Sequence, residues 1–382
     1  ILKQKIAGEL FFDKVSRLMY ATDASIYKEI PIGIVFPRDE NDVQIIVNYC
    51  FDNQISLIAR GAGTSLAGQV VGNGLIIDFS KHLNQILEFN QLEKWIWVQP
   101  GVILDDLNQF LANYNLYFGP ETSTSSRCNI GGMVGNNSCG SHSILYKTTR
   151  DHLLEAKVVL SNGALAHFKD MTENELTEIC QAKKFESEIY QKVLKILSVE
   201  RNRKEITAEF PHRAIYRRNT GYALDELVLS KPYKPDGEEF NLCKLLAGSE
   251  GTLAFATQIK LNLVEAPPKY VGLLCVHFSS LQEAFESNLV ALQFNPGAVE
   301  LMDSKIIAAA QRNPEQVRNS FFIKDNPAAI LMIEFCRDSI SEIDTCVNEL
   351  IFRLKENELG YHYPIIYGND VKKVWALRKS GL

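Results

Sequence analysis

Apolar and polar positions along this chain follow two rhythms, and the changes between them mark its elements. Residues 1–20 place Ile6, Leu10, Phe11, Val15 and Leu18 at helical spacing, which predicts a surface-docked helix. GIVFP at 33–37 reads as a short strand stopped by Pro37. Asp39 or Asn41 can cap the next helix, in which Val43, Ile46, Val47 and Cys50 share a face. Strands follow at 55–59, 75–79, 86–89 and 95–99, so a βαβ unit passes into a more antiparallel stretch. Leu104, Leu107 and Leu111 stand in register in an amphipathic helix over 102–115. Strands at 155–160 and 164–168 flank Ser161-Asn162-Gly163, a hairpin turn. Residues 173–209 are charged and helical, 231–239 (KPYKPDGEE) form a polar loop, and 246–264 holds two strands.

Pro267-Pro268 then punctuates the chain. Beyond it, strands at 271–278, 297–302, 328–335 and 361–367 alternate with helices at 281–293, 304–311 and 340–356. Alternation of that length predicts an α+β sandwich. The division is therefore an N-terminal segment 1–30, a domain over 31–265 and a second domain over 267–382.

Two stretches break the rhythm. In LIARGAGTSLAGQ, 57–69, a strand runs into Gly61, Ala62, Gly63, Thr64, Ser65, Ala67 and Gly68, with Arg60 at the entrance. Such a loop lets backbone N–H groups converge on phosphate oxygens, although a plain glycine-rich turn between strands has the same composition. A nucleotide-hydrolase loop is excluded because no lysine follows Gly63. A dinucleotide fingerprint is excluded because Gly61, Gly63 and Gly68 are wrongly spaced and lead into another strand. The second stretch, FGPETSTSSRCNIGGMVGNNSCGSHS, is too long for a linker.

Composition narrows the ligand. With 382 residues, 46% hydrophobic and 23% charged, the chain is ordinary globular protein. A net charge of −6 argues against nucleic acid, so an anion must be met by local donors. No apolar run is as long as a membrane span, and no signal-peptide pattern precedes the first element. Eight scattered cysteines without a CxxC point to a reduced, cytoplasmic protein and exclude a zinc ribbon or iron–sulfur cluster within these residues.

RGAGTSLAGQ, PETSTSSRCNIGGMVGNNSCG, YKTTRDHLLEAKVVLSNG and LLAGSEGTLAFATQ stand in the order found in FAD-linked oxidoreductases of the vanillyl-alcohol-oxidase, or PCMH-type, superfamily. Within it the chain resembles the D-lactate, glycolate and D-2-hydroxyglutarate dehydrogenase branch. The resemblance implies a two-part α+β PCMH-type FAD-binding domain followed by a partial ferredoxin-like cap. It implies that Arg60, Gly61, Ala62, Gly63, Thr64, Ser65 and Gln69 wrap the FAD diphosphate from one side. Glu121, Thr122, Gly131, Gly132, Asn136, Asn137, Ser138 and Gly140 would close from the other, with Glu250 and Gly251 near the flavin's sugar side. Covalent members carry a histidine where Thr64 stands, so FAD is expected to be held non-covalently. His142 reads as a solvated or packed histidine, and Lys147 departs from the branch's usual glycine.

In WALRK, 375–379, the resemblance makes Arg378 a clamp for the substrate carboxylate, a task suited to a guanidinium fork. Arg217 or Arg218 could also face the site. The family's downstream histidine segment, Glu-His pair and cysteine-rich region do not occur before Leu382, so these residues are expected to bind FAD but to lack the base that takes the hydroxyl proton, and no metal ligands are assigned. The expectation is an N-terminal portion of an FAD/iron–sulfur fusion. Its reaction would be oxidation of a 2-hydroxy acid by hydride transfer to flavin N5, with electrons leaving through a downstream iron–sulfur domain or carrier. An alkyl-glycerone-phosphate-synthase-like enzyme and a non-catalytic flavin-binding subunit are the alternatives.

Overall fold

The computed structural model describes residues 1–215, 217–218 and 221–379. Tyr216, Asn219, Thr220 and 380–382, the last three of the expected second domain, lie outside the described residues. Strands run in chain order as β1 (Glu9–Phe11), β2 (Gly33–Phe36), β3 (Leu57–Arg60), β4 (Leu75–Asp78), β5 (Ile86–Asn90), β6 (Trp95–Val98) and β7 (Leu116–Tyr117). They continue as β8 (Leu153–Leu160), β9 (Leu165–Phe168), β10 (Ala254–Asn262), β11 (Val264–Glu265), β12 (Tyr270–Phe278), β13 (Ala298–Asp303), β14 (Ala329–Arg337) and β15 (Ile365–Tyr367). The chain forms two compact units, one of residues 1–139 and 147–265, the other of 140–146 and 266–382.

The first unit holds two main sheets. One has the order β1-β2-β4-β3, with β2, β4 and β3 parallel and β1 antiparallel at the edge. The helix Glu40–Asp52 covers it, burying Val43, Ile46, Val47 and Cys50, and the Asp39 side chain caps it by accepting from Asp42 N at 2.9 Å. The other sheet is antiparallel, β5-β6-β10-β8-β9, and packs on the helix Leu104–Ala112 through Leu104, Leu107 and Leu111. Its β8–β9 hairpin turns at Gly163, whose φ is +78°.

The expected single helix over 1–20 is not there. A short turn, Leu2–Gln4, is followed by β1 and then by the helix Lys14–Met19. Gly8 explains the break, because a Cβ on it would lie 2.1 Å from the Phe36 carbonyl oxygen as the chain enters the sheet. Leu10 points inward from β1, whereas Val15 and Met19 of the helix are exposed rather than docked. Apolar spacing alone cannot separate a three-residue strand from a helical turn.

The second unit is an antiparallel sheet in the order β13-β14-β12-β15. Numbered within the unit, that order is 4-1-3-2 read from the far edge, the ferredoxin-like arrangement. Helices Leu281–Ala291 and Ile340–Glu356 pack on one face around Leu274, Val276, Ile333 and Phe335. Helices Ser304–Arg312 and Asn369–Lys379 pack on the other, around Leu273, Met332, Val374 and Leu377. Of the expected strand 361–367, Ile365–Tyr367 forms β15, and His362 adds an isolated bridge to His277 of β12.

Candidate functional site

β3 ends at Arg60, and the loop beyond it has an uneven hydrogen-bond balance. Among the described residues, no backbone N–H from Gly61 to Ser65 donates a hydrogen bond. Gly63 adopts φ +65° and Gly68 φ +78°, which only glycine takes without strain. Successive free N–H groups on a left-handed turn form a concavity suited to an anion. The Arg60 guanidinium faces elsewhere, donating to the carbonyls of Thr22 (2.9 Å) and Tyr20 (3.3 Å) and lying over the Tyr20 ring. Arg60 therefore braces the loop from behind.

The second small-residue stretch is more ordered than a loop. Ile130–Asn136 forms a short helix, anchored by Gly131 N donating to Pro100 O at 2.8 Å. Gly131 is required there, since a Cβ would lie 2.6 Å from Pro100 Cβ, whereas a Cβ on Gly132 would meet nothing within 4 Å. Gly132 thus leaves an open backbone surface. Asn129, 4% exposed, donates from Nδ2 to Gly101 O at 2.8 Å and packs its Oδ1, which has no partner among the described residues, against Gly61.

The third motif ties the first two together. Glu250 Oε1 accepts from Asn136 Nδ2 at 3.1 Å and from Gln69 Nε2 at 3.4 Å. Its own N–H donates to Gly135 O at 2.8 Å, and it holds φ +53°, a left-handed conformation that a glutamate adopts only under constraint. Burial raises its carboxyl pKa, partly offset by the two amide donors. Gly251, at φ +73°, sits against Ala59 of β3. Arg60, Gln69, Gly131, Gly132, Asn136, Glu250 and Gly251 are therefore brought into one region of the first unit.

Several expected residues have other work. Asn137 is fully buried and accepts from Arg150 N at 2.8 Å, and Ser138 O accepts from Thr149 at 2.8 Å, so both hold the turn. Thr122 Oγ1 sits 3.1 Å from Thr124 Oγ1 and 3.2 Å from Cys128 Sγ, and Glu121 is half-buried beside it. Gly140 opens the 140–146 excursion that belongs to the second unit. Lys147, where the chain returns, holds φ +55°, so the glycine-type turn survives without glycine. Arg218 pairs with Asp225 and Glu226, while Arg217 is exposed. Arg150 was not singled out from the sequence. Its guanidinium donates to Ala247 O (2.6 Å) and Lys244 O (3.0 Å), and its place in TTRDHLL was the available signal.

The second unit has a polar cluster beside its Asn369–Lys379 face. Glu334, 5% exposed, accepts from the Trp375 indole N–H at 2.8 Å and lies 2.6 Å from His142 Nε2. Arg378 donates to Glu300 at 2.9 Å, and its buried Nε has no partner among the described residues. Cys336, 3.5 Å from Glu334, has its thiol pushed up to about 12 by burial and by that carboxylate. The expected clamp is thus already bound to a carboxylate of the protein. Glu300 and Glu334 lie on β13 and β14, where strand patterning gives no sign of a paired acid.

Known proteins resemble the chain in sequence and in fold. Residues 31–169 match a family described as an FAD binding domain. The chain is 32% identical to the D-2-hydroxyglutarate dehydrogenase of Pseudomonas putida over 98% of its length and 37% of that protein's. With the enzyme of the same name from Escherichia coli the values are 31%, 100% and 38%. With glycolate oxidase subunit GlcD of Bacillus subtilis they are 26%, 78% and 52%. The chain thus spans a little over a third of the length of the D-2-hydroxyglutarate dehydrogenases it matches. A solved alkyldihydroxyacetonephosphate synthase shares the fold, with a TM-score of 0.64 at 14% identity, covering 98% of this chain and 62% of that one. Among the described residues no helix is long and apolar enough to cross a membrane. Residues 31–169 are thus similar to an FAD binding domain, nearly the whole chain is similar to part of the D-2-hydroxyglutarate dehydrogenases, and its fold is that of the solved synthase.

Proposed function

We propose that the first unit binds FAD non-covalently and that the protein oxidises a 2-hydroxy acid of the D-2-hydroxyglutarate, D-lactate or glycolate type. The observation that carries this is the run of undonated N–H groups from Gly61 to Ser65, flanked by the bare surface of Gly132. A diphosphate supplies the acceptors those groups lack, and a flat ring needs a surface without side chains. Glu250, held by Gln69 and Asn136, is the candidate ligand for the sugar hydroxyls. Glu121, Thr122, Asn137, Ser138, Gly140 and Gly251 shape the surrounding turns. Thr64 cannot form a histidyl link, which supports a dissociable flavin.

Bound FAD would supply a hydride acceptor for the substrate's C2 carbon. Arg378 is the candidate ligand for the substrate carboxylate, and its buried, partnerless Nε is consistent with a fork that has a donor to offer. Glu300 must then share Arg378 with the substrate or release it. Eight free cysteines, four of them buried, support a reducing, cytoplasmic setting. Electrons would pass on to a downstream iron–sulfur domain or a separate carrier.

The test is anaerobic mixing of FAD-loaded protein, prepared with any residues that follow Leu382, with D-2-hydroxyglutarate, D-lactate or glycolate. Bleaching of the flavin absorbance by one of them is expected. Flavin that stays oxidised with all three while sulfite or dithionite still bleaches it would contradict the substrate class.

A further inference from the structure

The first glycine loop is not supported by the FAD-binding domain alone. Residues 21–29, which precede the matched stretch 31–169, form a small hairpin closed by Glu29 N donating to Ala21 O at 2.9 Å. Ala21 is fully buried and anchors it. At the tip, Ala24 N donates to Gly63 O at 3.1 Å. Thr22 O and Tyr20 O hold the Arg60 guanidinium, and the Tyr20 hydroxyl donates to Asp78 Oδ2 at 2.6 Å. Tyr27 packs its ring under Gly68, where a Cβ would lie 2.7 Å from Cδ2. The hairpin thus engages the loop's carbonyl side, its arginine and its last glycine, while the N–H groups of Gly61–Ser65 stay unengaged among the described residues.

We propose that the 21–29 hairpin is a positioning element for the cofactor. By fixing the back of the 60–68 loop, it presets the row of N–H donors toward a diphosphate before any ligand arrives. This rests on the FAD reading above and extends it to residues outside the matched domain. Physically, the ordering entropy of the loop is lost during folding rather than during binding. Tyr20 and Tyr27 act through the loop and touch no cofactor themselves.

The experiment compares wild type with two variants, one in which Thr22–Lys28 is replaced by two glycines and one carrying Tyr27→Ala. Each is titrated with FAD by fluorescence and then with ADP as a competitor that shares the diphosphate. Preorganisation predicts FAD affinity about tenfold weaker for the hairpin replacement and a few-fold weaker for Tyr27→Ala, with ADP weakened in step. Val47→Ala, a cavity in the core away from the loop, serves as the stability control and should lower Tm without moving either affinity. Wild-type FAD affinity in a folded hairpin variant overturns the proposal. If that variant fails to fold, unchanged affinities in Tyr27→Ala, whose ring is over half exposed, overturn it. Wild-type protein that binds no FAD would instead remove the underlying reading, and the proposal with it.

Discussion

The two units carry their chemistry in opposite ways. In the first, the groups proposed to meet the ligand are backbone N–H donors on a glycine-rich turn, and the nearby side chains serve as braces. In the second, the polar groups are side chains already matched with one another, Glu334 with His142 and Trp375, and Glu300 with Arg378. Donors without acceptors on a fixed backbone are ready for a ligand that brings its own negative charge. A guanidinium already paired with a carboxylate has to exchange one partner for another. The first arrangement suits a tightly retained ligand, the second one that comes and goes.

The largest expected effect breaks the first arrangement. Gly63→Val places a β-branched residue at φ +65°, with a Cβ 2.5 Å from the Arg60 guanidinium. FAD affinity should fall by roughly three orders of magnitude, about 4 kcal/mol. Fluorescence titration measures it, and Arg378→Ala should leave the same quantity unchanged.

The second prediction concerns His277, wholly buried in the second unit. Its Nδ1 donates to Cys275 O (3.0 Å) and its Nε2 accepts from Lys324 N (3.3 Å), so the ring is neutral and has no room for a second proton. Burial, helped by neighbouring His362, depresses its pKa from 6.5 to about 4. The unfolded chain therefore takes up a proton that the folded chain refuses. Stability is complete above pH 6.5 and should fall by about 2–3 kcal/mol as pH drops toward 4. Denaturant titrations across that window, with His277→Asn for comparison, should show the slope in wild type and a flatter one in the variant.

A smaller effect is expected at Glu250. Glu250→Ala removes the acceptor shared by Gln69 and Asn136 and should weaken FAD binding about tenfold. Glu250→Gln retains an acceptor oxygen and should recover most of that loss. The smallest effect is at Lys147, where φ is +55°. Lys147→Gly should raise stability by roughly 0.5–1 kcal/mol, readable as a shift in Tm, by relieving the left-handed strain.

How much of this was legible in the sequence follows the same division. RGAGTSLAGQ and NIGGMVGNN stand out because their small residues break the periodicity around them, and the alternating strands and helices beyond Pro267 mark a second α+β unit, while its ferredoxin-like character was legible only through the family resemblance. The N-terminal segment was misread because a three-residue strand pairing with β2 leaves no period of its own. That Arg60 lies behind the loop on the carbonyls of Tyr20 and Thr22, that Arg150 fastens the 244–247 carbonyls, and that Glu300 engages Arg378 all depend on long-range partners. No local pattern encodes those pairings.

The central claim is that the N–H groups of Gly61–Ser65 are the diphosphate's donors, and amide hydrogen exchange on the protein with and without FAD tests it most directly. The account predicts fast exchange across 61–65 in the free protein and strong protection when FAD binds. Binding of FAD with no change in exchange at these five residues would contradict it.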